Sequence, residues 1–278
     1  MTGPSSAQLH VVGTPIGNLG DWSQRAQQVL GSVDLIACED TRRTGSLLSK
    51  HGIANPGMVV MNEHTERDAV AKVLAALASG SVAVVTDAGM PTISDPGAAL
   101  VAAVVESGFE VVVVPGPTAV SAALALSGFV ARRFVFEGFL PRKGAERKRR
   151  LAQLANESRM IVLYEAPHRV VRTMGDLAET LDGERRCVVA RELTKLHESV
   201  WRGPLSEAAE GVGEPRGEYV IVVDERDDVP VEVTDETLVA ALREAVASGL
   251  SSRDAATEVA AEHGIGRRRV YELTHDLT

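Results

Sequence analysis

Residues 82–97 read VAVVTDAGMPTISDPG, a short β-branched run that breaks into glycine, proline and aspartate. The first five residues have the composition of a buried strand, and the loop after them bends at Asp87, Gly89 and Pro91. A ligand loop at the carboxyl end of a strand is what an open α/β sheet uses to bind small molecules. Asp95 is a good N-cap and Pro96 a good first helical residue, which predicts a helix near 96–107. The plainer reading of Asp87 is an Asx-turn residue that only holds the loop.

Working outward, the same unit recurs. Strands are predicted at 9–13, 34–39, 58–61, 82–86 and 110–114, with helices near 22–30, 42–50, 66–78, 96–107 and 118–127. A second series has strands at 133–137, 160–164, 187–191, 198–202 and 218–223, with helices near 145–155 and 168–181. Strands alternating with helical periods imply an α/β fold with a mostly parallel sheet. The change of series places a domain boundary near Ser127 and Gly128, giving domains 1–127 and 128–226. The acidic, proline-containing stretch 225–233 reads as a linker to a third, all-α unit over 234–278. There, Leu238, Ala241, Leu242, Ala245 and Val246 share a helical face and Gly249 stops it. Ser252 is placed to cap a second helix with Ala255, Ala256, Val259 and Ala260 on its face. Gly264 turns the chain into a third helix opened by Arg267, Arg268 and Arg269, as in a helix-turn-helix. A plain three-helix cap fits the same pattern.

The 278 residues are 45% apolar, 24% charged and 4% aromatic, which excludes disordered, collagenous and disulfide-scaffold classes. At roughly 150 residues per domain, two sizeable cores fit. A net charge of −9 repels polyanions, so nucleic-acid binding has to be local. Two cysteines, Cys38 and Cys187, make neither a disulfide framework nor a zinc site and suit a reducing cytoplasm. The N-terminal MTGPSSAQLH has no signal-peptide pattern, and the uncharged stretch 111–131 is interrupted by Pro115, Gly116 and Pro117, so no membrane span is expected.

Two further loops copy the first: GTPIGNLG (13–20) and PGPTA (115–119). None is a GxGxxG, a GxxxxGK[ST] or a GxSxG sequence. Small residues let backbone approach a ligand closely, although each loop alone also reads as an ordinary turn. CEDTRRT (38–44) sets Glu39 and Asp40 beside Arg42 and Arg43, either a salt-bridged helix start or a phosphate and hydroxyl site. RKGAERKRR (142–150) packs six bases around one acid; a solvated helix face explains it, and so does phosphate binding. YEAPHR (164–169) and ARELTKLHE (190–198) are polar strand ends in which lone histidines are more often structural.

Taken in order, GTPIGNLGD, ACEDTRRT, TDAGMPTISDPG, VPGPTAVSAAL, GFLPRKGAERKRRL, YEAPHR and ARELTKLHE resemble the ribosomal RNA small subunit methyltransferase I family, a branch of the tetrapyrrole-methylase-like, class III S-adenosylmethionine methyltransferases. The resemblance runs from about Leu9 to Val223. It implies two α/β domains with the cofactor, S-adenosylmethionine, in the cleft between them, a homodimer, and 2′-O-methylation of a cytidine ribose in the decoding region of 16S ribosomal RNA. The tail resembles the family's helix-turn-helix domain.

Carried over by position, the cofactor cleft takes Pro15, Asp87, Ala88, Gly89, Ile93, Ser94, Thr118 and Ala119, with Tyr164 and the segment near Gly217–Tyr219 from the second domain. Candidate catalytic groups are Asp40, Glu39, Glu165 and Lys195, for accepting the hydroxyl proton or stabilising alkoxide. Arg42, Arg43, Arg142, Lys143, Arg147, Lys148 and Arg149 are the candidate RNA contacts, with the Arg267–Arg269 helix in support. No metal is needed, and the expected partner is the small ribosomal subunit. Two competing readings are a tetrapyrrole methyltransferase, disfavoured by the scarcity of aromatics and by the basic patch, and a ligand-sensing helix-turn-helix regulator of DNA, disfavoured by net acidity.

Overall fold

The computed structural model describes residues 7–62, 65–130, 132–226, 234–262 and 265–274. The chain forms two compact units, Met1–Arg226 and Asp227–Thr278.

The first unit starts with a five-stranded sheet of β1 (Gln8–Val12), β2 (Leu35–Cys38), β3 (Met58–Val60), β4 (Val82–Val85) and β5 (Glu110–Val114) in the order β3-β2-β4-β1-β5. Every pairing in it is parallel. One face is covered by α3 (Glu66–Leu77) and α4 (Ala98–Glu106), whose Val73, Leu77, Leu100 and Val104 pack on Leu9, Val11, Val82 and Val84. The other carries α1 (Gln24–Leu30) and α2 (Thr41–Lys50), whose Ala26, Leu30 and Leu48 meet Val12, Ile36, Ala83 and Val85. Each such aliphatic side chain removed from water contributes roughly 1.5–3 kcal/mol, which is why β4 is apolar on both sides.

β1 lies between β4 and β5, so the loops leaving these three strands emerge side by side. They touch through backbone: Thr14 bridges to Gly89, and a Cβ added to Gly13 would sit 2.6 Å from the Cα of Gly116. Glycine is required there because two main chains cross at contact distance. The helix after β4 starts later than its sequence implies: its N-cap is Gly97, at φ 121°, and Asp95 and Pro96 remain in the loop. Thr92 and Ser94 also have positive φ, 74° and 61°, so this loop follows a path that the N-cap pattern does not describe.

The second sheet corrects the expectation of a mostly parallel arrangement. It comprises β6 (Phe134–Phe139), β7 (Met160–Glu165), β8 (Arg186–Arg191), β9 (Ser199–Pro204) and β10 (Tyr219–Val223), ordered β6-β7-β10-β8-β9. Only β6 and β7 are parallel; β10 runs antiparallel to both of its neighbours, and β8 to β9. The connection 192–198 is too short for a parallel crossover, which needs a dozen or more residues. α6 (Gly144–Leu154), α7 (Pro167–Leu181) and a helix absent from the sequence reading, α8 (Leu205–Gly211), cover one face. The other face is covered by α5 (Ala119–Ser127), the last helix of the first series, through Val120 and Ala123 against Met160, Val162, Val188, Ala190, Val220 and Val222.

The second unit contains α9 (Asp235–Ala247), α10 (Ser252–Glu262) and α11 (Arg267–Glu272) around Leu238, Leu242, Ala255, Ala256, Val259 and Val270. Gly249 ends α9 at φ 103°, as its sequence implies. Val246 is exposed instead of joining the apolar face. Ser251, one residue before the expected Ser252, caps α10 by accepting from the Asp254 amide at 3.2 Å. Arg269 pairs with Asp235 at 2.8 Å and Arg268 with Glu272 at 3.2 Å. Residues 227–233 of the expected linker and the turn at Gly264 lie outside the described residues. No described helix is long and apolar enough to cross a membrane.

Candidate functional site

Two neighbouring cavities open where the three glycine- and proline-bent loops face the second sheet. The first, of about 340 Å³, is lined from the first sheet by Ile16, Ala88, Gly89, Met90, Ile93, Ser94, Asp95, Thr118 and Ala119. The second sheet closes it with Phe139, Tyr164, Glu165, Ala166, Pro167, Leu193, Lys195, Glu218, Tyr219 and Val220. The second cavity, of about 630 Å³, is more polar and includes Pro15, Asp40, Arg42, Arg43, Thr86, Asp87 and Lys50. Ile16, Ala88, Lys195 and Glu218 line both.

Carboxylates crowd this junction. Burial, reinforced by the charges of Glu39, Asp87 and Glu218, pushes the Asp95 carboxyl up to about 7. Glu39 and Asp87 are raised too, each chiefly by burial. Asp87 pairs with Arg43 at 3.1 Å through Oδ2, while its buried Oδ1 and the buried Thr86 Oγ1 have no hydrogen-bond partner among the described residues. Lys195 Nζ spans Glu192 at 2.9 Å and Glu218 at 2.6 Å. Burial opposes the Lys195 charge, but those two hydrogen bonds prevail and its pKa is raised. Burial, followed by the charge of Asp95, lifts the Tyr164 phenol to about 12, so the ring serves as an apolar wall with a neutral hydroxyl.

The loop carrying Lys195 is held in a strained path, with Glu192 at φ 51° and Thr194 at φ 65°. It is pinned to the first sheet's loop by the Asn18 amide, which donates to Thr194 Oγ1 at 3.0 Å. A Cβ on Gly17 would meet the Lys195 side chain at 2.5 Å, so the absence of a side chain there lets Lys195 reach the junction.

The first cavity gathers Ala88, Gly89, Ile93, Ser94, Thr118, Ala119 and Tyr164, with Glu218 and Tyr219 from the weaker segment. Pro15 and Asp87 line the second cavity instead, and the Asp87 carboxylate is engaged by Arg43. Among the candidate catalytic groups, Lys195 stands at the junction. Asp40 caps α2 and pairs with Arg42 at 3.0 Å; that hydrogen bond lowers its pKa to about 2, which makes it a weak proton acceptor. Glu39 accepts from the Asp87 amide at a long 3.5 Å.

Two expectations are corrected. The Glu165 carboxylate is fully buried, accepting from Thr173 Oγ1 at 2.6 Å and the Ala166 amide at 2.9 Å and pairing with Arg169 at 3.1 Å, so it serves as a structural anchor. Arg147 is 3% exposed and does not face solvent. It donates to Asp176 at 2.8 Å, to the Pro141 carbonyl at 3.0 Å and to Thr173 Oγ1 at 2.9 Å. Arg142, Lys143, Lys148 and Arg149 are exposed. Sequence reasoning missed Asp95, whose only signal was its place in the ligand loop, and it missed Ile16, Met90, Phe139 and Leu193, which carry no chemical signature.

The family model for tetrapyrrole (corrin/porphyrin) methylases matches residues 8–209. A ribosomal RNA small subunit methyltransferase I from Synechocystis sp. is 46% identical over 97% of this chain and 98% of its own length. Its Mycobacterium tuberculosis counterpart is 42% identical over 96% of this chain and 94% of its own. Among solved structures, a uroporphyrin-III C-methyltransferase from Thermus thermophilus complexed with S-adenosyl homocysteine aligns with a TM-score of 0.57 at 20% identity, covering 78% of this chain and 97% of that one.

Proposed function

The chain belongs to the tetrapyrrole methylase family, in its ribosomal RNA small subunit methyltransferase I branch, and from that premise we propose that its paired clefts methylate the ribose 2′-hydroxyl of a cytidine in the decoding region of 16S ribosomal RNA. It is an S-adenosylmethionine-dependent methyltransferase. The observation that carries this reading is the junction itself: an acid-rimmed, largely apolar cleft opening onto an arginine-lined polar one, with Lys195 and Glu218 common to both.

The residues present fit the cofactor. A cation is favoured where burial and the surrounding carboxylates hold Asp95 near pKa 7, and Tyr164 offers ring surface for a purine. Gly89 lines the cleft and brings no side chain into it. S-adenosylmethionine supplies an activated methyl group, so the protein's work is alignment, exclusion of water and proton removal.

In this arrangement Arg42 and Arg43 hold phosphates at the mouth of the second cleft. The Asp95 carboxylate, kept ionised by the cofactor's positive charge, takes the proton of the ribose hydroxyl. Lys195 Nζ stabilises charge developing on the hydroxyl oxygen. Ile16, Ala88, Met90 and Leu193 keep the reacting centre dry. Arg142, Lys143, Lys148 and Arg149 extend the phosphate track along α6. The protein works in the cytoplasm on the small ribosomal subunit, as a homodimer.

The test is to incubate small subunits from a strain lacking this protein with the enzyme and methyl-labelled S-adenosylmethionine. The label should map to one decoding-region cytidine and make its 3′ phosphodiester resistant to alkali. Label on a base, or none in RNA, would reject the assignment.

A further inference from the structure

We propose that a third cavity, beside the basic helix, is a nucleotide subsite in which Phe139 stacks on an RNA base adjacent to the methylated ribose; this rests on the methyl-transfer reading above. The cavity, of about 350 Å³, is lined by Glu137, Phe139, Leu140 and Pro141 at the end of β6 and by Glu146, Arg149, Arg150 and Gln153 of α6. Phe139 also lines the first cleft, so its ring stands between the two.

The ring is both exposed and aimed. Phe139 is 51% exposed at the end of an edge strand. Its centroid lies 5.7 Å from that of Tyr164, which is buttressed in turn by Phe136 at 4.9 Å. A β-bulge between Phe136 and Gly138 shifts the register just before it. Gly138 has φ 62°, and a Cβ there would lie 2.9 Å from Ser94 Oγ on the first cleft's rim. Bulges at sheet edges redirect the following side chain, and this one turns an aromatic ring toward both cavities.

The remaining groups suit a nucleotide. Arg150 is committed to Glu137, with Nε–Oε2 at 2.6 Å, and to Gln153 at 2.9 Å, forming a fixed polar floor. Arg149 is exposed on the same cavity and has no ion-pair partner among the described residues, which leaves its guanidinium for a phosphate. Glu146 supplies acceptors and Gln153 an amide for a base edge. An aromatic platform flanked by an unpaired arginine is the combination by which proteins hold single-stranded RNA, the strand form in which a base is free to stack.

The test uses full-length Phe139→Ala, Phe139→Leu and Phe139→Tyr on small subunits from the deficient strain, with cofactor affinity measured separately by calorimetry. Loss of a stacked base weakens binding by about tenfold or more. The Ala and Leu variants should therefore raise KM for the subunit by that factor and Tyr should stay within twofold of wild type, while any loss of S-adenosylmethionine affinity, Phe139 being also a wall of the first cleft, should be smaller than the loss for the subunit. A Leu variant with wild-type KM would overturn the stacking, as would an Ala variant whose cofactor affinity falls as far as its subunit affinity. If the wild-type enzyme itself transfers no methyl group to the subunit, the functional reading fails; a fully active Phe139→Ala on a working enzyme overturns only the subsite.

Discussion

Replacing Arg147 separates the two roles that one basic helix combines. Its guanidinium is buried and makes three directed hydrogen bonds, to Asp176, Pro141 and Thr173. Truncation to Ala would strand the Pro141 carbonyl and remove the Asp176 partner; breaking a buried pair costs about 3–5 kcal/mol. Asp176 is 27% exposed and keeps Arg172 nearby at 3.7 Å, so rehydration brings the loss toward about 3 kcal/mol. For a unit of this size that is a fall in Tm of about 6–12 °C. The assay pairs thermal unfolding with salt-dependent binding to small subunits. Arg147→Lys is decisive, because it keeps the charge that a phosphate would need and loses the fork that Asp176, Pro141 and Thr173 require. It should be nearly as unstable as Arg147→Ala while binding RNA with an unchanged salt slope. An Arg147→Ala protein of wild-type Tm whose salt slope has flattened would refute this reasoning and return Arg147 to the RNA surface.

Lys148→Ala combined with Arg149→Ala should do the reverse, leaving Tm unchanged and reducing the slope of log K against log salt by about 0.7 per lost phosphate contact, read by filter binding. Asp95 titrates near 7 because of burial and neighbouring acids, so a proton and a cationic cofactor compete for it. Cofactor affinity measured by calorimetry should fall as pH drops below about 7, and Asp95→Asn should flatten that dependence. The sign for stability is opposite: a carboxyl raised above its unfolded value of 3.8 makes the free protein less stable as pH rises from about 4 to 7, and Asp95→Asn should remove that loss in thermal scans. Gly13→Ala would place a Cβ 2.6 Å from Gly116, destabilising by about 1–3 kcal/mol and weakening cofactor binding. Gly175→Ala, within α7 and with open space around it, is the control and should be neutral or stabilising in the same assays.

The alternation of strand and helix was legible because every strand of the first sheet is a local apolar run, as in Val82–Val85. Strand order was not legible: nothing in residues 8–12 states that they lie between β4 and β5, since order is decided by long-range packing. The second sheet was misread for a related reason. Glu192–Glu198 looks like any polar loop, and only its short span argues against a parallel crossover. Arg147 was misassigned by composition, although its spacing to Leu151 and Leu154 puts it on the inward face of α6, and all three are buried. Asp95 was misassigned by a local rule. Asp-Pro before an alanine-rich run is a strong helix start, yet the positive φ at Thr92, Ser94 and Gly97 bends the loop so that the carboxylate lines the cleft.

That last exception has a physical logic. Local signals fail where backbone is held in conformations that the residues do not favour, and four of the five described non-glycine residues at positive φ lie in the loops that form the cleft, Thr92 and Ser94 in one and Glu192 and Thr194 in the other, with Asp182 apart at the end of α7. Each such residue costs about 1–3 kcal/mol and persists only because surrounding contacts over-determine it. On one side the Gly97 amide donates to Glu66 at 3.2 Å; on the other, Thr194 is held by the Asn18 amide and by its own amide, which donates to Glu198 at 2.6 Å. The strain thus buys two charged groups, Asp95 and Lys195, presented on opposing loops of one cavity. Relaxed loops of the same sequence would present neither, so the backbone distortion and the chemistry of the site are the same feature.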